Sequence, residues 1–363
     1  MDQITARKVN TFMENTRSYK LAGYNSVIAF SADARYILIG GYDGGFKVFD
    51  TSDNKIRCKF KLKGPKSDID IRHMGISHDN RYVAFSALWK VFLMDMQKEE
   101  IIWEFEFSKA ERRTSSPFCF FNTSLKLAIP NGSNMLIYDI EAKRSEHIEL
   151  PTGAGWTDCL AVSPDDSLVA YKSCNGEHEV FAMLKKHHEP LDDKVFVYDA
   201  KNGKLKNTIK VPYPSVRGAQ ISISGIMKFV SAKTLLVQRK ATGLSYFNAD
   251  TGAEEYARAW KDIIGVKTIY SFRDATISAD GRCVLFNKET PTEIRPDGSW
   301  VIPIPEGLEY VLLDVEANKI LYRQKSGEDP ATFHFETKRL AHIKREYDEN
   351  HRRTDYLCVV DIS

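Results

Sequence analysis

Val27-Ile28-Ala29-Phe30-Ser31-Ala32-Asp33-Ala34-Arg35-Tyr36-Ile37-Leu38-Ile39 sets two apolar, β-prone runs on either side of a short polar turn. That is the pattern of a β-hairpin. It returns at Met74-Gly75-Ile76-Ser77-His78-Asp79-Asn80-Arg81-Tyr82-Val83-Ala84, at Leu160 to Ala170 around Ser163-Pro164-Asp165, and at Thr276 to Leu285 around Ser278-Ala279-Asp280. The shared Ser-x-Asp bonds its own backbone and tolerates a tight turn. Weaker copies align at Cys119 to Leu127, Lys228 to Val237 and Leu313 to Leu321, which makes seven. The Ser31-equivalent positions are 31, 77, 121, 163, 230, 278 and 314. Their spacing is near the roughly 40 to 50 residues that four strands and their turns occupy, with a longer step between 163 and 230 that marks an insertion.

A second element follows each hairpin: Phe46-Lys47-Val48-Phe49-Asp50, Val91 to Asp95, Met135 to Asp139, Val195 to Asp199 and Leu357 to Asp361. These read as third strands. An alternating stretch comes next, as in Arg57-Cys58-Lys59-Phe60-Lys61-Leu62 or Trp103-Glu104-Phe105-Glu106-Phe107, whose period of two suits an outer strand with one wet face. The expected fold is therefore all-β, a seven-bladed β-propeller of four-stranded antiparallel blades, forming one domain over residues 1–363. In blade five Leu244 to Phe247 is the expected third strand; in blade six Glu293-Ile294-Arg295-Pro296 is a poor one, because proline donates no ladder bond. The last blade lacks an outer strand on its C-terminal side, and Arg17-Ser18-Tyr19-Lys20-Leu21 has the alternation to supply it. An N-terminal strand closing the ring removes the edges an open sheet would present.

From about Tyr19 to Asp361 the sequence resembles the WD-repeat and related quinoprotein-type β-propellers. The Ala29-Phe30-Ser31-Ala32-Asp33 hairpin, Asp43-Gly44, and Phe49-Asp50, Tyr138-Asp139 and Tyr198-Asp199 at the place of the Trp-Asp dipeptide carry the resemblance. The Trp is replaced by Phe, Tyr, Met or Val, and Gly-His is missing before the inner strands, so the hydrogen-bond tetrad of regular repeats is not expected. The resemblance implies a rigid platform for protein partners, an inference from fold.

Composition narrows the partner. Lys plus Arg number 51 against 49 Asp plus Glu, a formal +2, with 43% hydrophobic and 28% charged residues. Such balance argues against a strongly electrostatic nucleic-acid or membrane binder. No apolar run reaches the roughly 18 residues of a membrane helix, and the first residues have no apolar h-region. A cytoplasmic location is expected, with a protein partner, no membrane association and a chain monomeric by itself. The six cysteines have no CxxC pair, which suits reduced thiols.

Two segments interrupt the period. Residues 173–193 lie between the second and third strands of blade four and carry Cys174, His178, His187 and His188. Their spacing fits no zinc pattern, so solvated loop histidines are preferred and no metal is expected. His187 and His188 remain candidates for partner contact. Residues 327–354 contain Leu340, Ile343 and Tyr347 at helical spacing among mixed charges, which predicts a short amphipathic helix lying on the propeller. Near the N-terminus Val9, Phe12 and Met13 are expected to form a packed turn.

No GxSxG, HExxH, P-loop or dinucleotide fingerprint is present, so no cofactor is expected. Gly40-Gly41-Tyr42-Asp43-Gly44-Gly45 lies between strands rather than before a helix, and reads as a turn. The leading expectation is a non-enzymatic scaffold binding a protein through loops on one face, anchored by Trp156 and then Trp89, since aromatic residues on rigidly positioned loops are the usual anchors. The alternative is a propeller enzyme or small-ligand sensor using the central channel mouth. Five residues before the hairpin serine stand Ser26, Arg72, Ser116, Asp158, Arg273 and Glu309. Arg72, Asp158, Arg273 and Glu309 could converge on a polar ligand there, or pair with one another and close the channel.

Overall fold

A computed structural model of the chain describes residues 16–64, 69–87, 89–107, 117–151, 156–174, 193–211, 226–239, 243–259, 276–278, 283–288, 309–314, 317, 319–325, 330–334 and 336–362. The described residues form strands and turns and no helix. The first strand, β1 (Thr16–Leu21), belongs to the last blade. Blade one is β2 (Asn25–Phe30), β3 (Tyr36–Gly41), β4 (Gly45–Asp50) and β5 (Lys55–Lys61). Blade two is β6 (Ile71–Ile76), β7 (Tyr82–Ala87), β8 (Lys90–Asp95) and β9 (Glu100–Glu106). Blade three is β10 (Cys119–Phe120), β11 (Lys126–Asn131), β12 (Asn134–Asp139) and β13 (Arg144–Glu149). Blade four is β14 (Trp156–Val162), β15 (Leu168–Cys174), β16 (Asp193–Asp199) and β17 (Leu205–Val211). Blade five is β18 (Met227–Phe229), β19 (Thr234–Arg239), β20 (Gly243–Asn248) and β21 (Glu254–Ala259). Blade six is β22 (Thr276–Ile277), β23 (Cys283–Lys288), β24 (Glu309–Asp314) and β25 (Lys319–Lys325). Blade seven is β26 (Ala331–His334), β27 (Arg339–Tyr347) and β28 (Arg353–Asp361), with β1 outermost.

Each blade is an antiparallel meander, so its second-to-third turn and its connection to the next blade lie on one face of the ring. We call this the connection face; the first-to-second and third-to-fourth turns lie on the opposite, turn face. The middle strands are buried on both sides, as in β3 and β7, where every residue is buried. Outer strands alternate, as in β9. The apolar residues gather into seven clusters, one between each pair of neighbouring blades, including the pair that closes the ring. Ring closure follows: Leu21 and Tyr19 pack with Ile343, Leu357 and Val359 of blade seven and with Ile28, Ile37 and Phe49 of blade one. β1 pairs β28 with Tyr19 opposite Leu357 and Leu21 opposite Asp355.

The repeated residues act as turn chemistry. Ser31 Oγ donates to Asp33 at 2.6 Å and accepts from the Tyr36 amide at 2.9 Å, while Asp33 accepts from the Arg35 amide. Ser77 with Asp79 and Ser163 with Asp165 repeat this arrangement. The aspartate ending the third strand of blades one to four caps the following turn: Asp50 accepts from Ser52, Asp95 from Gln97, Asp139 from Ala142 and Asp199 from Lys201. Arg81 lies 3.0 Å from Asp95, and Arg35 holds Asp50 at 3.4 Å. Burial opposes the Asp50 and Asp95 charges, but these bonds outweigh it and hold both carboxyls below the usual range.

Neighbouring blades are latched on the turn face. Asp166 of blade four accepts from the Asn122 and Thr123 amides and the Thr123 and Ser124 hydroxyls of blade three. Asn80 donates to Asp33 of the previous blade at 2.8 Å. The equivalent Ala34 has no polar side chain, and His334 Nε2 of blade seven donates to the Ala32 carbonyl instead, at 2.8 Å.

Two sequence expectations are corrected in the last blades. The hairpin at Leu313 to Leu321 joins the third and outer strands of blade six, β24 and β25, rather than opening blade seven. Residues 327–354 hold no helix among the described residues; they supply β26 and β27, the inner and second strands of blade seven. Leu340 faces blade six and Ile343 faces blade one, so both sides of β27 are apolar. A strand buried on both faces carries no period of two, and three apolar residues in it can mimic a helical stripe. The third strand of blade six is β24, while Glu293 to Pro296 and Val9, Phe12 and Met13 lie outside the described residues.

Candidate functional site

Three of the residues expected at the channel mouth occupy equivalent places. The β2–β3, β6–β7 and β14–β15 ladders each slip by one residue, between Asn25 and Val27, between Ile71 and His73, and between Thr157 and Cys159. Ser26, Arg72 and Asp158 are therefore the bulged residues of their inner strands. Arg72 forms an ion pair with Asp70 at 3.0 Å, within the approach to its own strand. The imidazole of the following His73 is pushed down to about 4, first by burial and then by the Arg72 charge. Glu309 is not at an inner strand: it begins β24, opposite Lys325 and Lys288. Ser116 and Arg273 lie outside the described residues, as do His178, His187 and His188.

Trp89 sits in the turn between β7 and β8 on the connection face. It is half-buried against the apolar cluster between blades two and three, and its carbonyl accepts from the Phe107 amide at 2.9 Å. Trp156 opens β14 opposite Cys174, which places it on the connection face too.

The most developed surface lies elsewhere, at the seam between blades seven and one. Asn25, fully buried, gives its backbone N–H and its side-chain amide to Asp355 Oδ2, each at 2.9 Å. Arg353 Nε bonds Asp355 Oδ1 at 2.5 Å, and an Arg353 Nη donates to the Asn25 carbonyl at 3.1 Å. Lys47 Nζ donates to Asn25 Oδ1 at 2.9 Å, and Arg345 reaches the Asn25 carbonyl at 3.4 Å. Burial works against the Asp355 charge; the bonds from Arg353 and Asn25 prevail and keep its carboxyl low. Burial likewise lowers the Lys47 ammonium, against the attraction of Asp43.

Three tyrosines stand on this base. Tyr24, Tyr42 and Tyr347 are 55%, 55% and 62% exposed. The Arg353 guanidinium lies over the Tyr24 ring, 5.4 Å from its centroid, and Tyr347 is the cross-strand partner of Arg353. The Tyr24 carbonyl abuts Gly41, the residue before Tyr42, so closely that a Cβ there would come within 2.0 Å of it. The other large exposed apolar side chains, Ile56, Ile102, Leu205, Tyr256 and Leu321, are spread one to an outer strand. Scattered exposure of that kind is ordinary. Exposed tyrosines beside an arginine that a buried ionic network holds in place match the residue types that dominate protein interfaces. Sequence reasoning passed over them: Tyr24 and Tyr42 lie in short turns, and Tyr347 was assigned to a helix. The usable signal was tyrosine in a connection, as at Gly23-Tyr24 and Gly41-Tyr42.

Among the described residues no group of three His, Cys, Asp or Glu side chains is arranged to hold a metal ion, and no helix is long and apolar enough to cross a membrane. No protein-family profile and no curated protein matches the sequence. The chain is similar in structure to the β-propeller domain of Cps50 (Swd1) from Myceliophteria thermophila, with a TM-score of 0.61 and 14% identity, over 95% of this chain and 98% of that one. With seven four-stranded blades closed by β1, the chain has the fold of a WD-repeat-like β-propeller.

Proposed function

We propose that this protein is a non-enzymatic interaction scaffold, a single propeller domain of the cytoplasm, monomeric alone, that binds a protein partner through its connection face. The observation that carries the reading is exposed Tyr24 and Tyr347 beside Arg353 on the buried Asn25–Asp355 network, with exposed Tyr42 in the neighbouring turn of the same face. Aromatic side chains held rigidly lose little conformational freedom on binding, so they contribute strongly to affinity. Trp156, at the start of β14 on the same face, is a second anchor in this reading. The channel-mouth reading has less support, because Arg72 is ion-paired with Asp70 and Glu309 lies in a third strand.

Quantitative affinity capture from the native source tests the scaffold reading. A Tyr24→Ala/Tyr347→Ala double variant and a Trp156→Ala variant are compared with the parent, and Tyr256→Ala, on the outer strand of blade five, is the control. Loss of the same captured protein from the first two variants and not from the control is expected. Identical recovery by folded double variant and parent overturns the assignment of the surface.

A further inference from the structure

The near-neutral total charge conceals a one-signed edge. β5 and the two residues after it carry Lys55, Arg57, Lys59, Lys61 and Lys63, all exposed, at every second position. No acid interrupts the run. Lys61 pairs with Asp43 at 2.5 Å, and among the described residues no ion pair within 4.0 Å holds the other four. Among the other blades β13 and β21 mix signs, β9 carries Glu100, Glu104 and Glu106, and β17 and β25 carry only cations but skip a position, with Thr208 and Leu321 interrupting the alternation.

Lysines on an edge strand also guard against strand-to-strand aggregation, and guarding is satisfied by mixed or widely spaced charges, as the other blades show. In β5 the repulsion is built in. Lys59 stands opposite Lys47 in the β4–β5 ladder, and the Lys61 charge, offset in part by Asp43, opposes the Lys47 ammonium; like charges on one face are destabilising. Anionic groups of a partner would relieve it. The strand ends its sheet, pairing only β4, so its outward N–H and C=O groups are open to an added strand. Lys59 and Lys61 are successive same-face residues, about 6.8 Å apart along the strand, while Arg57 is the bulged residue between Cys58 and Ile56; an extended polypeptide with carboxylates at alternate positions has the repeat of the first pair. Such a segment also supplies both the donors and the acceptors that a strand edge needs, whereas the phosphates of a nucleic acid supply acceptors alone. Exposed Ile56 and half-buried Phe60 offer apolar contact between the cations.

We infer that the outer edge of blade one is a docking site for an acidic, extended segment of a partner polypeptide, which adds to β5 as a fifth strand. The inference stands apart from the tyrosine surface, since it uses a different edge of the blade and different residues.

The test is fluorescence anisotropy at low and physiological ionic strength with a labelled nonapeptide alternating glutamate and valine. The same peptide with glutamine for glutamate and a labelled oligothymidylate of similar length are the comparisons. Saturable binding of the acidic peptide is expected, weakened by salt and by roughly tenfold or more in an Arg57→Glu/Lys59→Glu variant. It should be unchanged in Lys210→Glu, a variant of an exposed outer-strand lysine of blade four, and absent for the glutamine peptide. Unaltered melting of both variants keeps the comparison free of folding effects. The inference is overturned if the acidic peptide does not bind, if the double variant binds it as well as the parent, or if the oligothymidylate binds more tightly. It is also overturned if the parent self-associates through this edge, as read by sedimentation, and excludes the peptide. Loss of native partner by the tyrosine variants with no effect of Arg57→Glu/Lys59→Glu leaves the scaffold reading standing and removes only this one.

Discussion

The carboxylate of Asp355, in the third strand of the last blade, accepts both the backbone N–H and the side-chain amide of Asn25, the first residue of the first blade's inner strand. These residues are 330 positions apart in sequence. Their contact joins the two ends of the ring beside the strand pairing that closes it.

Asp355→Ala should therefore cost about 3 to 5 kcal/mol, because Arg353 and Asn25 then lose the carboxylate that neutralises and orients them in a buried site. Asp355→Asn keeps part of the bonding and should cost less. Urea denaturation of both variants checks the order; equal stability of parent and Asp355→Ala would remove the network from the account of closure.

Deletion of residues 1–22 removes β1, leaves β28 as an open edge and uncovers part of the cluster formed with Leu21 and Tyr19. At roughly 0.5 to 1.5 kcal/mol for each net hydrogen bond plus the apolar burial, the loss is several kcal/mol. Replacing residues 176–191 by a short Gly-Ser linker spares the β15–β16 ladder, which runs to Ser173 opposite Lys194, and should leave the melting temperature nearly unchanged. Thermal melts and sedimentation of both proteins make the comparison.

Acid should destabilise the fold in two steps. His73 and His342 are held down to about 4 from an ordinary 6.5, His342 by burial first and the Lys344 charge second, while its cross-strand neighbour is Cys358. Between those values the unfolded chain binds protons that the folded chain refuses, so stability falls as pH drops from 6.5 towards 4. Asp33, Asp50, Asp95 and Asp355 are lowered in the fold. Their contribution is present above the ordinary carboxylate value and is lost as pH falls through the folded values. Denaturation midpoints at several pH values should show both phases, with a shallower upper phase in His342→Gln. An unchanged upper slope in that variant would exclude His342 as a source.

Gly41→Ala drives a methyl group into the Tyr24 carbonyl. Overpacking against backbone costs about 1 to 3 kcal/mol, and the displaced segment carries Tyr24 away from Arg353. The variant should melt lower and also capture less partner, two effects measured separately by calorimetry and by affinity capture.

The repeat was legible because each hairpin states its own chemistry. Ser31 and Asp33 bond within five residues of one another, and Asp50 caps its own turn, so the meaning of these residues travels with the local sequence. Blade number, the third strands of every blade but the sixth and the closing role of Arg17 to Leu21 followed from that. Net charge was legible too, as a total.

The tertiary structure decided what depends on neighbours distant in the chain. Leu340, Ile343 and Tyr347 form a strand because blades six and one cover its two sides, a fact no local period records. Asn25 and Asp355 meet only when the ring closes, and that meeting sets Arg353 over the Tyr24 ring and beside Tyr347. The five cations of residues 55–63 vanish in a sum over the whole chain and become a field only when folding places them along one exposed edge. Short-range bonds fix the blade, whereas the surface arises from burial and charge that only the assembled ring brings together.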